Sequence, residues 1–484
     1  MRKPKSPDWF MQIKGVFFRL RLLAFCAGVA VLVLPFLSLS IRTVDAQGSE
    51  WSKPYLLFET QGAVYMTSLV ADPAGNVHAV WESRSTSTFS GVQSDSAIYY
   101  SVLDSSTGVW SRPVDILFEP GGLRFPNLVI GADGRLHLFA TGSCLIHASA
   151  SLNPFPQSSS LWKNQGCIAD PSFEFGAATD KRGNLHLAYT DQPPYRVLYR
   201  ASLDSGQTWS QQSIVWQAEQ DTAVNNAQLA VSSDGVIHVV WAEYPLPEAY
   251  PPNGVFYSQS LDGGKSWTLP RRLAGVNYTE PRIITQDREV HVLINGAGNI
   301  GSRYHIYSSD DGRTWSEIEV AIKASAGMLG PPDGVFDSLG HLHMVAGTNE
   351  GVRYSQWNGQ SWSAPEVLFT PAYKPDVDTG HPSIVLTRGN QLHAIYRDLD
   401  KRIYYSTKTI SAPYVPSAGL PTQPAETPTS IPTVVSPANP TPVPIDVDAP
   451  DSSSQSTALP LILGVGMSVL VIVLSLVVKT FRRG

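Results

Sequence analysis

The sequence predicts an all-β protein, a seven-bladed propeller of four-stranded sheets. Three observations predict it. A repeat with a period near fifty residues runs through the body, 38 Gly and 37 Pro favour turns over long helices, and the body opens with the segment its last repeat lacks.

The repeat is legible in its turns. Its first half is Asp72-Pro-Ala-Gly75-Asn-Val-His78-Ala-Val-Trp81, and related turns lead to His137, His186, His238, His291, His343 and His393, at spacings of 49 to 59 residues. About twenty residues after each His comes a second apolar run, as in Ile98-Tyr-Tyr-Ser101, Val255-Phe-Tyr-Ser258 and Ile403-Tyr-Tyr-Ser406. In six units this run leads through a turn to Trp110, Trp162, Trp209, Trp267, Trp315 or Trp362. The seventh lacks its Trp, and Trp51-Ser-Lys-Pro-Tyr-Leu-Leu57 at the start of the body matches the missing piece. Four short strands per fifty residues is the size of one blade, and an N-terminal strand completing the last blade leaves no sheet edge open. The propeller is expected from 47 to 410.

Composition and charge set the rest of the organisation. At 43% hydrophobic and 16% charged, the 484 residues are neither disordered nor nucleic-acid-like. Residues 1 to 46 sum to +5 and the tail from Lys479 to +3, so with a net charge of −6 everything between them sums to −14. Such a body repels phosphate backbones, which excludes nucleic acid as a partner. Residues 1–46 combine a basic start, an uncharged stretch from Leu22 to Ile41 and small residues at Val44-Asp45-Ala46, the pattern of a signal peptide; an uncleaved anchor is the other reading. The Pro/Ser/Thr-rich stretch 411–457 cannot bury a core and is expected to be an extended stalk of up to ~140 Å. Leu459 to Val478 within 458–478 is a twenty-residue apolar span, read as one transmembrane helix, and the basic tail 479–484 is cytoplasmic by the positive-inside rule. The propeller is then extracellular, on a single-pass membrane tether.

Three turns share a tighter pattern: Ser202-Leu-Asp204-Ser-Gly206-Gln-Thr-Trp209, Ser260-Leu-Asp262-Gly-Gly264-Lys-Ser-Trp267 and Ser308-Ser-Asp310-Asp-Gly312-Arg-Thr-Trp315. The Asp accepts backbone N–H groups, the Gly takes positive φ and the Trp pins the turn by packing. The pattern resembles the Asp-box, or bacterial neuraminidase repeat, of sialidase-like propellers, although sialidases look six-bladed and seven units stand here. The motif marks architecture and is shared by non-enzymes.

Topology sorts the loops onto two rims. Turns between strands one and two and between strands three and four share one rim, which takes the Asp turns and the turns leading to the seven His. Seven equivalent His in separate blades cannot converge on one ion, so they are read as structural and no metal or cofactor is expected. The other rim is where propeller ligands are expected; loops entering strand one bring Glu174, Asn226 and Glu280 to it, and loops leaving strand two bring Tyr244 and Asn295. Arg124-Phe-Pro126 looks like the Arg-x-Pro motif of sialidases, whose Arg grips a sugar carboxylate bidentately with two others, and Arg282 and Arg397 are the partners topology offers. The resemblance further implies a Tyr nucleophile assisted by a Glu, with an Asp as acid/base; rim position nominates Tyr373, Glu243 and Asp191 in those roles. Ordinary ion pairs of these arginines with Glu119, Glu280 and Asp398 are the competing reading.

Of three cysteines, Cys26 falls in the leader, while Cys144 and Cys167 fall on the ligand rim outside the cell, where a disulfide can persist; two free thiols are the alternative. Two functions are carried forward. One is a membrane-tethered, sialidase-like propeller that binds a glycan or glycoconjugate and hydrolyses a terminal sugar, and the other is a non-catalytic scaffold for a protein or cell-wall partner.

Overall fold

A computed structural model describes residues 50 to 418, apart from 61, 85–95, 120–121, 171–173, 192, 194, 299–300, 325–329, 372–379 and 399–400. All of them belong to one compact unit, Met1–Pro424. The leader, Cys26, most of the stalk, the apolar span and the basic tail lie outside the described residues. Among the described residues no helix is long and apolar enough to cross a membrane.

The seven repeats form seven antiparallel sheets. Their innermost strands are Ala63–Ala71, Arg124–Ile130, Phe175–Thr179, Thr222–Val231, Tyr278–Gln286, Asp333–Phe336 and Ser383–Thr387, which begin blades 1 to 7. Second strands such as Val77–Arg84 and Leu342–Thr348 are buried almost end to end, because the neighbouring blades cover both faces. This explains why the repeat reads as continuous apolar runs there, while outer strands such as Ser213–Gln217 bury only their central residue.

The ring closes as the sequence predicts. Tyr55–Glu59 is the outermost strand of blade 7, antiparallel to Arg402–Thr409 with Tyr55 opposite Tyr405 and Glu59 opposite Arg402.

Each repeated His is bound within its own blade. His78 Nδ1 lies 2.7 Å from Tyr100 Oη and its Nε2 3.2 Å from Asp72, so the imidazole joins the Asp turn to the third strand. His186, His238, His343 and His393 meet Tyr199, Tyr257, Tyr354 and Tyr405 at 2.7 to 2.8 Å. In blades 2 and 5 a second imidazole replaces the Tyr: His137 meets His147, and His291 meets His305, each at 2.9 Å.

The same third-strand rings receive the tryptophans of the next blade. Trp162 packs on Tyr100, Trp209 on His147, Trp267 on Tyr199, Trp315 on Tyr257, Trp362 on His305, Trp51 on Tyr354 and Trp110 on Tyr405. All seven contacts are edge-to-face with centroids 4.9 to 6.0 Å apart, a favoured aromatic geometry. The repeat is therefore an inter-blade device in which His, Tyr and Trp seal one sheet to the next.

The three Asp turns have one hydrogen-bond pattern. Ser202 Oγ donates to Asp204 and accepts Gly206 N–H, both at 2.8 Å, and Asp204 Oδ1 accepts Thr208 N–H at 2.8 Å. The turns at Ser260 and Ser308 repeat these bonds through Asp262 with Gly264, and Asp310 with Gly312. Bonds from the Thr208 side chain and backbone hold Asp204 down at about 2. Gly206 has φ of 82°, and a Cβ there would overlap the His147 ring, so both backbone and packing require glycine.

After the last strand the chain stays on the Asp-turn rim, where Val415 N–H donates to the Arg388 carbonyl at 2.8 Å.

Candidate functional site

The mouth of the central channel is built from irregular strand starts. In blades 1, 2, 4 and 5 the innermost strand carries a bulge opposite the second strand, at Tyr65-Met66, Phe125-Pro126, Asn226-Ala227 and Glu280-Pro281. Phe125, Asn226 and Glu280 take φ of 55°, 57° and 47°, and His381 of blade 7 takes 59°. Bulky residues avoid this region, and bulges with such backbone gather at sites where a side chain must be aimed. Three of the four are followed by proline, which has no N–H to lose where the ladder breaks.

These bulges surround two adjoining cavities of about 80 Å³ each, which share Thr67, Pro126, Asn127, Arg282, Pro331 and His381. Every blade contributes to their walls: Thr67, Pro126, Glu174, Gln228, Arg282, Asp333 and Ser383 come from blades 1 to 7 in turn. Phe125 and Phe175 add aromatic surface. Arg282 donates through Nε to Asp333 at 3.0 Å and through Nη1 to Gln228 at 3.1 Å.

A polar belt continues around the mouth. Glu174 accepts from Asn226 Nδ2, Asn226 Oδ1 accepts from Tyr244 Oη at 2.8 Å, and Tyr244 also meets Thr279. Glu280 accepts from Asn295 Nδ2 at 2.5 Å, and the same amide group reaches the Gly330 carbonyl. Burial, reinforced by the like charge of Glu280, lifts the Glu174 carboxyl to about 7. Burial beside Glu280 pushes the Tyr244 phenol far up.

Of the described residues among those nominated from sequence, only Arg282 lines this cavity. Arg397 is 2% exposed and spans blades 7 and 1, donating to the Gly380 and Val64 carbonyls with its guanidinium 5.4 Å from the Tyr65 ring. Arg124 is exposed at the start of blade 2, near the buried Glu82, whose carboxyl is raised by burial against the pull of Arg84 and Arg124. Glu243 accepts the indole N–H groups of Trp216 and Trp241, and burial raises its carboxyl. Asp191 forms a two-pronged ion pair with Arg196. Tyr373 lies outside the described residues. The expected arginine pairings also differ: Glu119 accepts from Ser143, Asp398 faces Arg402 at 3.8 Å, and the partner of Arg282 is Asp333, one blade on.

The sequence places Glu174, Asn226, Tyr244 and Asn295 on this rim without a role and offers Glu280 as an arginine's partner, and it does not single out Thr67, Gln228 or Asp333. The signal that marks the mouth is the dipeptide ending in Pro at four of the seven strand starts: Phe125-Pro126, Glu280-Pro281, Gly330-Pro331 and His381-Pro382.

Cys144 and Cys167 form a disulfide between the third and outermost strands of blade 2. With the two cysteines 23 positions apart, its loss by Cys144→Ser with Cys167→Ser is expected to cost about 3 kcal/mol in the chain-entropy model, read as a lower urea midpoint.

A larger cavity, about 370 Å³, lies on the opposite rim beneath Val415, Pro416 and Ser417. Its cation, Arg388, donates to the Ser105 carbonyl, and its carboxylate, Asp72, is held in the turn with Asn76 and His78. Among the described residues these groups serve the turns.

No protein-family model and no curated protein sequence matches the chain. Among solved structures, the BP39L lectin of Burkholderia pseudomallei is 11% identical and matches 75% of this chain and 99% of its own with a TM-score of 0.52. An ulvan lyase described as a new polysaccharide lyase family, PL25, is 12% identical over 74% of this chain and 95% of its own, TM-score 0.51. The NanB sialidase of Streptococcus pneumoniae matches more loosely, 12% identical over 74% and 71%, TM-score 0.43. The likeness to the lectin and the lyase is one of fold. At these identities a shared propeller implies no shared reaction.

Proposed function

We propose that this protein is a cell-surface, membrane-tethered propeller that binds glycans at the channel mouth. The observation that carries this reading is the cavity to which all seven blades contribute. It brings a carboxylate, amides, a hydroxyl, a guanidinium–carboxylate pair and two phenylalanines together, a set that suits hydroxyl hydrogen bonding and stacking on a sugar face. The lectin and lyase of similar fold act on carbohydrates by their names, which supports the same ligand class here. The leader 1–46 and the span Leu459 to Val478 support export and tethering.

Hydrolysis of a terminal sugar is the second reading, favoured by one feature: Glu174, held near 7 beside Glu280, has the protonation a general acid needs at neutral pH.

The test is a glycan array probed with the full chain in detergent, alongside Arg282→Ala. Binding is expected, and about tenfold or greater weakening in the variant, whose charge-assisted bonds to Asp333 and Gln228 shape the cavity. An array without any ligand, together with a protein captured through the same rim, would replace this reading with a scaffold. Turnover of a fluorogenic glycoside that Glu174→Gln abolishes would establish the hydrolase.

A further inference from the structure

The charges on the channel-mouth wall do not make a receptor for an acid. Among the described residues its guanidinium is Arg282, and that charge is already answered by Asp333 at 3.0 Å, with Gln228 taking a second donor. An incoming carboxylate would have to displace Asp333 or share its cation. Glu174, on the same wall, is half-buried and bonded to the neutral amide of Asn226. Glu280 stands beside it with a second carboxylate, also met by an amide, from Asn295. Glu280 already acts on the buried Arg303 guanidinium, so it is Glu174, met by an amide in a partly desolvated cleft and repelled by Glu280, that gains most from a cation, which removes both the desolvation penalty and the repulsion.

We propose that the cavity takes a primary-amine sugar, an unsubstituted hexosamine, with its ammonium against Glu174 and its hydroxyls toward Asn127, Gln228 and Thr67. The inference rests on the glycan-binding reading and narrows its ligand. Phe125 and Phe175 are the surfaces for the sugar's apolar face, and the net negative charge of the chain between 47 and 478 favours a cationic over an anionic glycan. The raised carboxyl of Glu174 adds a signature: an ammonium favours its ionised form, so binding expels a proton from Glu174.

The experiment titrates the full chain in detergent calorimetrically with three probes: a β-1,4-linked glucosamine tetramer, its fully N-acetylated counterpart and a hexuronate tetramer. At about pH 6 the free amine is largely protonated. The glucosamine tetramer should bind about tenfold or more tightly than the other two, as a charge-assisted pair requires. Its heat should vary with buffer ionisation enthalpy, reporting proton release from the unmodified protein. Glu174→Gln, which keeps an acceptor for Asn226, should abolish both the preference and the release, while Glu248→Gln on the exposed surface should change neither.

Equal or tighter binding of the N-acetylated or hexuronate probe would overturn the amine assignment and leave glycan binding standing. A preference that survives Glu174→Gln would also overturn it, by showing attraction to the acidic surface alone. Divalent cation binding that blocks the amine would reassign Glu174 and Glu280 to a metal. Failure of every glycan would remove the inference and the reading beneath it together.

Discussion

Acidification from pH 7 is expected to unfold the propeller with a midpoint of about pH 4.5, because its imidazole seals must stay neutral. Burial holds His147, His291 and His393 at about 3 and His238 at about 4, with a neighbouring imidazole adding to the first two, and it lowers His186 and His305 as well. The sign follows from linkage. Above the unfolded value of about 6.5 these groups are neutral in both states, so stability is at its full value there. Below it the unfolded chain binds protons that the folded chain refuses, and each group costs about 1.4 kcal/mol per pH unit until its folded value is reached. Four such groups two units below 6.5 remove roughly 10 kcal/mol, comparable with the whole stability of a typical domain.

Tryptophan fluorescence across a pH series reads this directly, since Trp209 and Trp362 pack on His147 and His305, and Trp267, Trp315 and Trp110 pack on the tyrosines that meet His186, His238 and His393. His147→Tyr replaces the second imidazole of blade 2 with the phenol that five other blades use, and should move the midpoint down by roughly 0.4 of a pH unit. A protein that stays folded to about pH 3, or a variant with an unchanged midpoint, would refute the account.

Deletion of residues 50–60 is the second large effect. It removes the Tyr55–Glu59 ladder, the Trp51 ring 5.3 Å from Tyr354, and the bond from Ser52 N–H to the Thr407 carbonyl at 2.8 Å. Trp51→Ala alone is expected to cost about 3 kcal/mol, toward the lower end for a large aromatic because this ring is only half-buried. The full deletion also bares Arg402–Thr409 as an unpaired edge, a template for other chains. The deleted chain should melt at least about 5 °C lower, at roughly 2 cal/mol/K per residue, and should form oligomers by light scattering. A monodisperse deletion chain with an unchanged melting temperature would mean that closure lies elsewhere.

The fold was legible because each unit repeats the same local chemistry. Asp and Gly turns, buried second strands and the position of each Trp recur at one period, and the displaced Trp51 segment revealed how the ring closes. The candidate site was legible only in outline. Glu174, Asn226 and Glu280 were placed on the correct rim because strand order sorts loops between the two rims. Their bonding was not, since Arg282 pairs with Asp333 and Gln228, which lie 51 and 54 residues away on the adjoining blades. Partners sought within one's own loop, such as Glu280 for Arg282 or Asp398 for Arg397, were the wrong distance along the chain.

By itself the sequence determined the number of blades, the closing strand and the role of each turn, because these depend on interactions repeated within a unit or between identical neighbours. The tertiary structure alone decided which rim side chains meet. Bulges with left-handed residues turn Phe125 onto the cavity wall and Asn226 and Glu280 toward Glu174 and Asn295, and strain of that kind is held in place by packing from blades distant in sequence.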